Sequence, residues 1–169
     1  FEVVVKPNEW AKAGREQARV AAATTPTKQL QQKFWTALIE HLAAKAPQIR
    51  PQKPRPQHWL NNSIGRAGFG LNPTANTRDQ RLGVELWIPG AEAKQHFAKL
   101  SAQKQDIEAK LGFELDWQEL PDAKAVRIAS WYPNASIEDE QRWHEYIDWL
   151  TQRLVKMDAV LRPIVKALP

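Results

Sequence analysis

The sequence predicts an α+β domain, a mainly antiparallel sheet of about five strands with helices before, between and after it and a long helix at the C-terminal end. Three observations carry the prediction. Apolar residues alternate with period two between Trp59 and Pro89 and again between Phe113 and Tyr132, the pattern of strands buried on one face. The segments around them carry apolar residues at three- and four-residue spacing, the pattern of a helix with one buried stripe. At 169 residues and 43% hydrophobic composition, the chain is long enough for one substantial core.

Taken in order, Phe1, Val3 and Val5 alternate with Glu2 and Val4 and stop at Pro7, and Ala11 to Ala23 is Ala-rich with few large apolar residues. Residues 1–25 therefore read as an exit strand and linker helix from a missing upstream domain, and 26–169 as a single α+β domain. The chain opens on Phe1 without an initiator Met and reads as the tail of a longer protein. Thr25 and Pro26 supply an N-cap and first-turn proline for a helix over Pro26–Lys45 with Leu30, Phe34, Trp35, Leu38, Ile39 and Leu42 as its stripe. From Pro47 to Pro56, prolines interleaved with Arg50, Lys53 and Arg55 predict an extended, basic connector.

The connector delivers the chain into a three-stranded meander. Leu60, Asn62 and Ile64 form its first alternating set, and Phe69 and Leu71 lie in a short strand interrupted by Gly65, Gly68 and Gly70. Turn residues run from Asn72 to Asp79, and Val84, Leu86 and Ile88 then line one strand face with Glu85 and Trp87 on the other. Pro89 and Gly90 lead into one helix carrying Phe97, Leu100, Ile107 and Leu111 and ending at Gly112. A hairpin follows, Phe113–Trp117 turning at Pro121-Asp122 into Lys124–Tyr132, with Val126, Ile128, Ser130 and Tyr132 opposite Ala125, Arg127, Ala129 and Trp131. The last helix is predicted over 136–162. Ser136 and Asp139 form a capping-box-like start, Trp143, Ile147, Leu150, Leu154, Met157 and Leu161 form a stripe, and Pro163 ends or kinks it.

Composition excludes several chemistries. Without cysteine there is no disulfide, thiolate zinc site or cysteine nucleophile, which fits a cytoplasmic protein, and no apolar run approaches the roughly 20 residues of a membrane span. The net charge of +5 is uneven, with ten Lys or Arg against four acids in residues 1–56. A basic stretch beside a neutral body suggests phosphate, or else a solvated surface. The four histidines form no metal-ligand motif, and the glycines form no phosphate loop. Glu92-Ala93-Lys94, Glu108-Ala109-Lys110 and Asp122-Ala123-Lys124 match the Glu-x-Lys or Asp-x-Lys pattern of metal-dependent nucleases. Two sit on helices and the third in a hairpin turn without a partner acid, so coincidence is the better account. No catalytic residue, metal or cofactor is expected.

Eight tryptophans raise a different possibility, stacking of unpaired bases on aromatic rings. Trp87 and Trp131 lie opposite the larger apolar sets of their strands, beside Glu85 and Arg127. If that second sheet face is open, Trp87, Trp131 and Arg127 form an aromatic and basic platform, and if helices cover both faces they are core. The candidate nucleic-acid-binding residues are these three with Arg50, Lys53 and Arg55 of the connector and Arg78 and Arg81 of the meander loop.

Phe34-Trp35, Trp59, Val84-Glu85-Leu86-Trp87-Ile88, Phe97, Leu100, Ile107-Glu108, Leu111-Gly112, Leu115, Trp117 and the Trp143–Leu161 stripe together resemble a bacterial and archaeal family, the Domain of Unknown Function 4268 family. The resemblance covers about Pro26 to Leu168. It implies the C-terminal half of longer proteins whose N-terminal half is similar to restriction-endonuclease-like nucleases, and a setting in DNA metabolism or defence, but it supplies no catalytic residue. The expected function is a non-catalytic accessory domain that helps a nuclease-like neighbour bind nucleic acid or assemble. The alternatives are a metal-dependent nuclease in its own right and a protein-interaction or dimerisation module. The expected partners are the upstream nuclease-like domain and DNA, with no membrane, and a monomer is favoured over a weak homodimer.

Overall fold

A computed structural model of the chain describes residues 25–120 and 124–169. The expected exit strand, the linker helix and the Pro121-Asp122 turn lie outside them. The first helix, α1, spans Pro26–Lys45 as the sequence predicts, with the Thr25 hydroxyl accepting from Lys28 N at 3.2 Å and proline in the first turn. It buries Phe34, Trp35, Leu38 and Leu42, and the Trp35 indole donates to Gln57 O at 2.8 Å. That bond fixes the end of the connector to the helix.

Four strands form one antiparallel sheet in the order β1-β2-β4-β3: β1 Gly70–Asn76, β2 Arg81–Pro89, β3 Asp116–Gln118 and β4 Ala125–Pro133. This is one strand fewer than expected. The missing strand is the segment around Leu60–Ile64, which runs beside β1 in a constant register but makes only isolated bridges, Trp59 to Thr74 and Ser63 to Gly70. Its ladder has two gaps with chemical causes. Leu60 N donates to Pro73 O at 2.9 Å, but Pro73 has no N–H to return. At the next pair the Asn62 side chain takes over, its Nδ2 donating to Leu71 O at 2.9 Å while its backbone N–H goes to Asn72 Oδ1 at 3.0 Å.

The expected turn over Asn72–Asp79 is likewise shorter. Asn72 and Pro73 belong to β1, because the proline faces outward from β2 and takes no donor from that pairing. The chain turns after Asn76, whose Oδ1 accepts from Asp79 N at 3.0 Å, with Gln80 in the left-handed region at φ 50°.

The single helix expected after Gly90 is two, α2 Ala93–Ser101 and α3 Lys104–Leu111. Gln103 N bonds three residues back to Leu100 O at 2.9 Å, which ends α2. The break follows from packing, since α2 lies against β2 and β4 while α3 lies against the last helix, and one straight rod does not reach both. Gly112 caps α3 at φ 84°, as expected. Strand β3 is shorter than its alternating sequence suggests, because the Glu108 carboxylate captures Leu115 N at 2.7 Å and Trp117 Nε1 at 3.1 Å and holds the approach in a turn.

The last helix, α4, spans Trp143–Lys166 and starts later than Ser136. Ser136 accepts from Glu138 N at 3.2 Å in a local turn, and a single 3₁₀ turn over Glu140–Arg142 precedes the helix. Pro163 lies inside it rather than ending it. So close to the end only one helical bond is forfeited, and Ala167 N still reaches Pro163 O at 3.1 Å. Arg66 satisfies carbonyls left over at this terminus, donating to Val165 O at 3.0 Å and Leu168 O at 2.6 Å.

The stripe Leu150, Leu154, Met157 and Leu161 is buried within this chain, in one core cluster with Leu71, Leu82, Val84, Leu86, Ile88, Val126 and Ile128 from one face of the sheet, and the helix packs on β1 and β2. Fully burying each leucine contributes about 1.5–3 kcal/mol. No helix among the described residues is long and apolar enough to cross a membrane.

Candidate functional site

The opposite sheet face is where polar and aromatic residues collect. Cross-strand register arranges it in rows: Trp59, Thr74, Gly83 and Trp131; then Asn61, Asn72, Glu85, Ala129 and Asp116; then Ser63, Gly70, Trp87, Arg127 and Gln118. Trp59, Trp87 and Trp131 are half-buried, and none belongs to the hydrophobic core, which the helices share with the other face. Glu85 sits in the middle row with tryptophans on either side of it.

The charges of this face are built into the rings. The Arg81 guanidinium lies 3.7 Å from the Trp131 ring centroid, and Arg127 lies 5.9 Å from those of both Trp87 and Trp131. Trp131 Nε1 donates to Asp116 Oδ2 at 2.9 Å, and the indole leans over Gly83, the residue directly opposite it on β2. Arg127 Nε and Glu85 Oε2 are 2.6 Å apart, an ion pair by distance whose N–H is not aimed along the line to the oxygen. Both atoms, with Arg81 Nε and Thr74 Oγ1, lack an aligned partner among the described residues. Burial pushes the Glu85 carboxyl above the usual range, against the opposing pull of Arg127 and Arg81.

A recess of about 310 Å³ opens at this point, lined by His58, Trp59, Asn61, Asn72, Glu85, Trp87 and Arg127. Two of its amides are oriented by one contact each, Asn61 Oδ1 accepting from Trp59 Nε1 at 3.1 Å and Asn72 Oδ1 from Asn62 N at 3.0 Å. Their NH₂ groups make no hydrogen bond to other described residues. Partial burial, and then the Arg127 charge, hold the His58 imidazole below its ordinary pKa. The recess thus offers two aromatic walls and several N–H donors.

Of the residues singled out by sequence, Arg81, Trp87, Arg127 and Trp131 come together on this face. Arg50, Lys53 and Arg55 stay on the exposed connector, and Arg78 is exposed in the β1–β2 turn. The connector does reach the site's flank, since Gln52 N donates to Asn61 O at 2.8 Å. Sequence reasoning passed over His58, Trp59, Asn61, Asn72, Glu85 and Asp116 as binding residues. Only Glu85 carried a signal, an acid on the same strand face as Trp87.

The nuclease-like triplets have other employment. Glu108 holds the α3–β3 turn, and Lys94 Nζ donates to Glu119 O at 2.6 Å and Leu120 O at 3.0 Å, while Asp122 lies outside the described residues. Among the described residues no three His, Asp or Glu side chains converge as a metal site. His96 is buried against Phe69 with ring centroids 5.2 Å apart, and His41 lies 3.4 Å from Asp148.

Residues 30–165 match the family described as Domain of unknown function (DUF4268). The chain belongs to this family. No curated protein matches. A chain in the structure of the HopA1-SchA chaperone-effector complex is similar at 16% identity and a TM-score of 0.36, over 70% of this chain and 91% of that one. The matched DUF4268 segment takes in most of α1 through nearly all of α4, so Trp59, Glu85, Trp87, Arg127 and Trp131 all lie inside it.

Proposed function

We propose that this DUF4268 domain is a non-catalytic accessory module that holds unpaired nucleic acid on its open sheet face, beside a nuclease-like domain of the same protein. The observation that carries the reading is the face itself, where Trp59, Trp87 and Trp131 stand outside the core with Arg81 and Arg127 among them. Aromatic rings offer every base a surface to stack on, and arginines beside them meet the phosphates that follow. A duplex buries its base faces and would leave the rings without a role. The nuclease-like neighbour rests on family resemblance, and it gives a site without catalytic groups something to serve.

The test is fluorescence anisotropy of short labelled single strands and the matching duplex across a salt series. Single strands are expected to bind in preference, with log K falling by about 0.7 per phosphate contacted for each decade of salt. Trp59→Ala and Trp87→Ala are each expected to lose about 1–3 kcal/mol of binding, the range for one base–aromatic stack. Absence of single-strand binding at low salt, or tighter binding to duplex that survives both substitutions, would overturn the proposal.

A further inference from the structure

Hydrogen-bond donors gather in the middle of the open face, and several of them are unspent. Two recesses, of about 310 and 280 Å³, meet there and share Asn61, Asn72 and Trp87 as lining. Asn72 stands at the junction and is only 7% exposed. Its Oδ1 accepts from Asn62 N at 3.0 Å, which fixes the orientation of the amide and leaves the NH₂ without a partner among the described residues. The amide lies over Gly70, where a Cβ would come 2.8 Å from Oδ1 and 3.1 Å from Nδ2. The Asn61 amide is held in the same sense, its Oδ1 taken by Trp59 Nε1 at 3.1 Å. A buried donor left open toward a recess calls for an acceptor from outside. Glu85 is not free to serve as one, because its Oε2 is enclosed and lies 2.6 Å from Arg127 Nε. That ion pair instead keeps the guanidinium beside the middle row, with Nη1 reaching Gln118 Oε1 only at 3.5 Å.

Resting on the nucleic-acid reading above, we infer that Asn61, Asn72 and Arg127 form a seat for one backbone phosphate, at the point where a strand crosses from the ring of Trp59 to that of Trp87. Register sets the crossing. Trp59 is bridged to Thr74, in line with Gly83, and Trp87 faces Gly70, so the row of Asn61, Asn72 and Glu85 lies between the two rings. A phosphodiester presents acceptor oxygens alone, which suits two NH₂ groups and a guanidinium. Side-chain amides and arginines of this kind hold a backbone in place without reading its sequence. The Glu85 charge, which would repel a phosphate, is offset by Arg127 at contact distance.

The experiment titrates the protein with the thymidine dinucleoside monophosphate TpT and with its methylphosphonate analogue, and follows quenching of intrinsic tryptophan fluorescence. The analogue keeps both bases but is uncharged at the linkage and has lost one acceptor oxygen. TpT is expected to bind about 10-fold or more tighter, as hydrogen bonds to a charged acceptor provide. Asn72→Asp keeps the oxygen that accepts from Asn62 N and replaces the NH₂ by a second carboxylate oxygen. It should therefore weaken TpT by about 10-fold or more and leave the analogue unaffected, a difference that a merely structural role for Asn72 would not produce. The comparison of the two ligands uses unaltered protein and keeps the inference testable if Asn72→Asp fails to fold. Equal binding of TpT and the analogue, no binding of TpT at millimolar concentration, or a TpT-to-analogue ratio unchanged in folded Asn72→Asp would each overturn it. Longer single strands that still bind would then leave the stacking platform standing and remove only the phosphate seat, whereas loss of all strand binding removes both.

Discussion

Gly83→Ala tests whether the platform is assembled as described. Gly83 lies mid-strand in extended backbone, so alanine meets no conformational penalty there. Contact is the obstacle: a Cβ would sit 2.4 Å from Trp131 Cε3 and 2.6 Å from Cζ3, with Ser130 O at 3.1 Å. An indole is rigid, so the ring must swing away, pulling Nε1 from Asp116 and its face from Arg81. The hydrogen bond to a charged acceptor is worth about 1.5–3 kcal/mol and the half-exposed cation–π contact about 0.5–1. Relieving glycine of its strand entropy returns about 0.5–1 kcal/mol. The expected net loss is about 1–3 kcal/mol, which for a domain of this size lowers the melting temperature by roughly 3–10 °C. Urea and thermal unfolding measure it, with near-ultraviolet circular dichroism reporting the displaced indole. In a Trp131→Ala background the same substitution should be neutral or stabilising. Gly83→Ala as stable as the wild type, with an unchanged aromatic spectrum, would refute the placement of Trp131 over Gly83.

Three further outcomes are expected. Leu154→Ala should cost about 2–5 kcal/mol in urea unfolding, since it empties a fully buried site beneath the sheet. The Glu108 carboxyl is held below its usual 4.5 chiefly by the Leu115 N–H, so its contribution to stability is present above that value and is lost as pH falls through the lowered one. Glu108→Gln should therefore flatten part of the acid limb of a stability-versus-pH curve, and an unchanged limb would remove Glu108 from it. Reversing Arg50, Lys53 and Arg55 to Glu should reduce the single-strand salt slope by about two if all three meet phosphates, and leave it unaltered if the connector stands clear.

Periodicity made α1, β2, β4 and the α4 stripe legible, because each is long enough for burial on one side to dominate its composition. Elements governed by single contacts were not. Asn72-Pro73 looks like a turn until the outward side of β1 supplies a place where a missing N–H costs little. The break at Gln103 reflects two different packing partners, and nothing local in Ser101-Ala102-Gln103 announces it. Half of the site could be read as well, since Trp87, Arg127 and Trp131 occupy the polar phase of their strands. The recess could not, because His58, Trp59 and Asn61 reach it by lying beside β1, through pairings that alternate poorly in sequence. Glu85 was visible as a residue but not as the centre of a face, which only the register across four strands reveals.

The gapped ladder beside β1 also bears on how the protein behaves in a crowded solution. Exposed backbone along a sheet rim invites another chain to add itself, the first step toward swapped dimers and fibrils. Here one rim is already covered by the segment around Trp59–Ser63, and Pro73 would deny an intruding strand a donor at its midpoint. The other rim is β3, three residues long. Among the described residues the covered flank of β1 and the shortness of β3 thus leave little rim on which a foreign strand can grow.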